Sequence, residues 1–135
     1  RQVWALRAAP DAGFALCQHV ATFEPGTDPG GWYRGRIDGV PEPSFVPSAW
    51  LVRRSALLTV GGFDAALRHG EDTDWLARAK DAGVAFVMVD EPLLRKRIHS
   101  DSLGGTHIVL DDLFVILRRS AHRKQASLHE VPRGR

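Results

Sequence analysis

Between Phe14 and Phe23 the chain reads FALCQHVATF, a mostly apolar run with turn formers on either side, and this pattern predicts a strand. The residues before it, Gln2–Ala9, predict a short helix closed by Pro10-Asp11-Ala12-Gly13. Ser48–Arg53 suits a second strand. It leads into a helix over Ser55–Val60, with Ser55 as N-cap and Gly61 as the stop. Further on, Trp75, Leu76 and Ala79 recur at helical spacing and predict a helix over Thr73–Ala82 that ends at Gly83. Ala85–Val89 is continuously apolar, as a buried strand is. Pro92 is expected to break it, and Leu93–His99 to resume an extended, partly exposed pattern. Finally, Leu110, Leu113, Phe114 and Leu117 give Ile108–Arg119 one strong apolar helical face. Strands and helices alternate, so the fold class expected is α/β.

Two stretches fall outside any period. Glu24–Pro43 is rich in Pro and Gly and long for a plain connection, which is the mark of a functional or mobile loop. Its Trp32 and Tyr33 could stack on a sugar or anchor the loop to the core, and anchoring is the commoner use of such residues. Ser100–Thr106 is a second, shorter Gly/Ser loop.

The bulk composition narrows the class. With 135 residues, 44% of them hydrophobic and 25% charged, the chain can form a compact core and is not a disordered polymer. No apolar run reaches membrane-spanning length, and the N-terminal residues lack the apolar stretch of a secretory signal. The single Cys17 excludes an internal disulfide and a cysteine zinc site and fits a reducing compartment, so a cytoplasmic location is expected. The net charge of +2 decides little, but its distribution is uneven. Arg118, Arg119, Arg123, Lys124, Arg133 and Arg135 crowd the last stretch against Glu130. A solvated, fraying tail over 121–135 is the leading reading. Contact with anionic lipid at a membrane surface comes next, and nucleic acid after that.

The densest candidate chemistry is GGFDAALRHGEDTDW, residues 61–75. Its carboxylates admit three readings. Asp72 can cap the following helix, worth typically about 1 kcal/mol, and Asp64 can cap the turn before His69. Asp72-Thr73-Asp74 can be a D-x-D pair of hard oxygen ligands, a pattern expected about once by chance in such a chain. Asp72 can also be a general base beside a Gly-rich loop. Periodicity does not choose among them.

The order of features does point somewhere. The strand SAWLVRRSAL is followed by VGGFD, GEDTDWLARAKDAG, AFVMVDEP and RKRIHSDSLG, and this order resembles the second half of glycosyltransferase family 2 enzymes. The matching positions are Gly61, Gly62, Phe63, Asp64, Glu71, Asp72, Asp74, Arg78, Gly83, Arg97, His99 and Ser102. RQVWALRAAPDAGFAL at the start is similar to the family segment that follows its own D-x-D motif.

The resemblance implies a GT-A-like partial fold over 1–120, a mixed sheet with flanking helices. The nucleotide-binding half and its D-x-D would precede the first residue here. It implies transfer of a sugar from a nucleotide-diphosphate donor to a hydroxyl acceptor on a glycan or a lipid-linked molecule, with inversion. Asp72 would be the base and Glu71 its neighbour. Gly61, Gly62, Asp64, Trp50 and Arg97 would contact substrate, and His99 would be a ligand to a divalent metal, Mn or Mg. Asp74 then reads as a helix-start residue, and Arg78 as its partner one turn later.

With that half missing, an unpaired strand edge or an exposed apolar face is expected. Self-association or a partner chain would then cover it. An inactive binding or assembly module of the same shape is the alternative reading.

Overall fold

A strand that is apolar on both faces belongs in the middle of a sheet. In the computed structural model, which describes residues 1–28, 35–36, 38–67, 69–100, 102 and 110–129, Ala12–Phe23 takes that place as β1. Residues 110–112 and 127–129 are described by backbone alone. β1 pairs antiparallel with β2 (Pro41–Pro43) and β3 (Leu51–Val52), and parallel with β4 (Ala85–Ile98). The sheet is therefore mixed and four-stranded, and the α/β class holds.

β4 runs along the whole of one β1 edge, from Ala12↔Ala85 to Phe23↔Ile98. The carbonyls of Gly13, Cys17 and Ala21 face the other edge, where they accept the N–H groups of Arg53, Ser44 and Gly39. β2 and β3 thus share that edge. Among the described residues β4 pairs with β1 alone, which leaves its outer edge without a ladder.

Chain contacts divide the molecule into two compact units. The first unit comprises Arg1–Arg53 with Ala85–Ile108, and the second Arg54–Val84 with Val109–Arg135. In the first, α1 (Gln2–Ala8) ends just before Pro10, and its Leu6 packs against Ala12 and Ala15 of β1. The Gln2 side chain donates to the carbonyls of Ala15 (3.1 Å) and Ala49 (2.7 Å), tying α1 to the sheet and to the 3-10 turn Pro47–Ala49. That turn replaces most of the strand expected over Ser48–Arg53, so only Leu51 and Val52 pair.

Pro92 does not end β4. The register steps from Cys17↔Val89 to Gln18↔Pro92, so Asp90 and Glu91 bulge out and the ladder resumes at Leu94. A bulge accommodates a residue that has no N–H to donate, and the strand continues across it.

The second unit is helical: α2 (Arg54–Val60), α3 (Glu71–Asp81) and α4 (Leu110–His129). Three expectations are corrected here. Ser55 lies inside α2 and is not its N-cap. α3 starts at Glu71, so Asp72 is its second residue; the N-cap is Gly70, in the left-handed region at φ 77°. α4 continues to His129, ten residues beyond Arg119, because Ser120 and, within the expected tail, Arg123 bond to Asp81 of α3 (3.1 and 2.8 Å). Residues 130–135 of that tail lie outside the described residues, as do Trp32 and Tyr33.

Candidate functional site

The acidic stretch folds around the start of α3. Trp75 and Arg78 lie three residues apart, hence on one face of the helix, and that face holds the end of α2. Trp75 Nε1 donates to the carbonyl of Gly61 (2.8 Å). Arg78 donates from Nη1 to Val60 (2.6 Å) and from Nη2 to Gly62 (2.8 Å). Three consecutive carbonyls at the Gly-Gly turn are thus held by two side chains. Gly61 makes the turn possible, since its φ of 84° suits glycine and ends α2 at once.

Asp74 completes the clamp. Its Oδ2 accepts from Arg78 Nε at 2.7 Å, one helical turn away, in an environment where Asp74 is only 1% exposed. A buried charge is tolerated only when paired, and here each partner requires the other. This is the helix-start role expected of Asp74, with Arg78 contributing more than a single ion pair.

Asp72 lies differently. It is half-buried, and its Oδ1 accepts from the N–H (2.6 Å) and the hydroxyl (3.3 Å) of the adjacent Thr73. Those bonds are local and leave the carboxylate near the uncapped first turn of α3, beside the half-buried Glu71. Asp64 is more fully engaged. Oδ1 accepts from the N–H of Ala66 (2.9 Å), which makes the expected turn before His69, and Oδ2 accepts from Arg119 of α4 (2.7 Å). The Ala66 N–H first, and Arg119 after it, hold the Asp64 carboxyl below its usual range.

Burial opposes ionisation of Asp81 at the far end of α3. The hydrogen bonds from Arg123 and Ser120 outweigh it, and the carboxyl is again lowered.

The remaining expected site residues belong to the first unit. Trp50 packs beside the cluster of Cys17, Ala49 and Val89. Arg97 is largely exposed, 3.5 Å from Glu24. His99 follows β4 in a turn where its N–H donates to Ser102 Oγ (2.9 Å) and its carbonyl accepts the Ser102 N–H (3.0 Å). The structure therefore brings Gly61, Gly62, Asp74 and Arg78 together at the start of α3, next to Glu71 and Asp72. Trp50, Arg97 and His99 are placed in the other unit.

One polar group escaped the sequence reading. His19 is 95% buried on β1, opposite Glu42 of β2. Its Nε2 lies 3.1 Å from Glu42 Oε1, which Arg36 also contacts, and its Nδ1 has no hydrogen-bond partner among the described residues. Burial lowers the imidazole pKa and the nearby Lys96 and Arg36 add to this, against the opposing pull of Glu42. The signal available in the sequence was a histidine inside a strand otherwise fit for the core.

No family model matches the chain, and neither a curated protein nor a solved structure matches it significantly. The functional reading therefore rests on motif order and local geometry. Among the described residues, no three His, Cys, Asp or Glu side chains gather as a ligand set for a metal ion. His99 belongs to no such set of three there, and no step below is routed through a metal.

Proposed function

We propose that the chain is the acceptor-side portion of a family 2-like glycosyltransferase, with Asp72 as the catalytic base. Asp72 takes the proton of an acceptor hydroxyl while that oxygen forms a bond to the anomeric carbon of the donor sugar. The bond from that carbon to the diphosphate breaks, and the nucleoside diphosphate leaves with the electron pair. A positioned base of this kind contributes about 10²–10⁴-fold in rate.

The observation that carries the reading is the division of labour among the carboxylates of 61–75. Asp74 Oδ2 is taken up by the clamp and Asp64 by Ala66 and Arg119, whereas among the described residues Asp72 accepts hydrogen bonds from its neighbour Thr73 alone. The same clamp fixes the Gly-Gly turn against the helix that carries Asp72. The motif order from VGGFD to RIHSDS supports it independently. The edge of β4 that has no ladder among the described residues is where a further strand would extend the sheet toward a donor-binding part.

The test is calorimetric titration with UDP and with GDP, each with and without manganese. Nucleoside diphosphate binding that needs the cation is expected, and Asp72→Asn should retain it, because a base contacts acceptor rather than nucleotide. Absence of binding to either nucleotide in every assembly state of the chain favours the inactive module instead.

A further inference from the structure

α4 has two faces with different fates. On one, Ile116 is 2% exposed, while Ser120 and Arg123 bond to Asp81 and Arg119 to Asp64. On the opposite face, Phe114 (63% exposed) and Leu117 (57% exposed) lie three residues apart, with exposed Ala121 one turn further on. Arg118 borders this stripe on one side and Lys124 on the other, both exposed. From Leu113 to His129 the helix contains no acidic residue.

We propose that this outer face of α4 docks on an anionic lipid bilayer, independently of the transfer reaction proposed above. An aromatic and aliphatic stripe flanked by cations is the pattern of a helix lying in the membrane interface. The apolar side chains enter the acyl boundary and the basic ones remain at the headgroups. α4 lies on the bilayer rather than across it, since no helix among the described residues is long and apolar enough to span one.

Charge selects this occupant over two others. A second copy would bring the same cationic borders against each other. A nucleic acid would be drawn to Arg118 and Lys124 but would leave Phe114 and Leu117 uncovered, because phosphate binding makes no use of an apolar stripe. Arg119 and Arg123 bond to Asp64 and Asp81 within the unit, while Arg118 and Lys124 are exposed at the borders of the stripe.

The test is cosedimentation of the full chain with vesicles of phosphatidylcholine, with and without phosphatidylglycerol. The chain should bind the anionic vesicles, bind them less as salt rises, and ignore neutral ones. The double variant Phe114→Ser/Leu117→Ser should lower the partition coefficient by about tenfold or more. Arg118→Glu should lower it on anionic vesicles, while Leu58→Ser, an exposed apolar position on α2, should not. Both side chains of the double variant are exposed, so its thermal unfolding should match that of the parent. The following results would overturn the proposal. They are no binding to anionic vesicles, binding that the double variant leaves unchanged, or a lipid-free dimer that the double variant dissolves. Capture of RNA in preference to vesicles, insensitive to the double variant, would do so as well.

Discussion

Arg78 shows how much one side chain can carry. It satisfies two carbonyls and neutralises a buried carboxylate, so its loss removes three hydrogen bonds and strands Asp74 without a countercharge. Arg78→Ala should destabilise the second unit by about 2–4 kcal/mol, read by urea unfolding, and Arg78→Lys should recover only part because it cannot fork to both carbonyls. Unaltered stability in Arg78→Ala would show that the clamp is incidental. His19 makes the second residue-scale prediction. Burial lowers its folded pKa below the ordinary 6.5, so below that pH the unfolded chain binds the proton more readily than the folded one. Stability should therefore fall as pH drops through about 6.5 toward the folded value, and His19→Gln should flatten this slope in thermal unfolding between neutral and mildly acidic pH. An identical slope in the variant would place the titration elsewhere.

At the scale of elements, the helices and the central strand were legible because their apolar periods are long. β1, α1 and α3 lie within a residue or two of the segments that periodicity predicts. What could not be read depended on contacts distant in sequence. The bulge that carries β4 past Pro92 exists because β1 continues alongside it, and α4 outlasts its apolar face because Asp81 receives Ser120 and Arg123. The cap of α3 was misread for a similar reason. Asp72 is the better N-cap by side-chain chemistry, but α3 begins earlier, at Glu71, with Gly70 as its cap. There a Cβ would also meet Ile116 Cδ1 of α4 at 3.3 Å. Gly70→Ala should cost about 1–2 kcal/mol, from left-handed backbone strain together with this contact, as measured by the shift of the urea midpoint. A stabilised Gly70→Ala protein would contradict the geometry described for the start of α3.

Across the whole molecule, the α/β class was foreseeable from the alternation of elements, and the division into two units was not. The chain crosses between the units three times, after Arg53, after Val84 and after Ile108, so each unit draws on separated segments and no composition shift marks the boundary. The candidate site was legible only in part for the same reason. The order of its motifs is a local property, but which carboxylate remains available emerges only once Arg78 and Arg119 have taken theirs. Among the described residues β4 pairs with β1 alone, an open sheet edge of the kind expected.

The central claim is that Asp72 serves as a base in sugar transfer, and nucleoside diphosphate release from a panel of UDP- and GDP-sugars measures this most directly. The parent chain should release it in the presence of a hydroxyl acceptor. Asp72→Asn should do so about 10²–10⁴-fold more slowly with its unfolding temperature unchanged. Equal rates for the two proteins, or no release by the parent in any assembly state, would contradict the account.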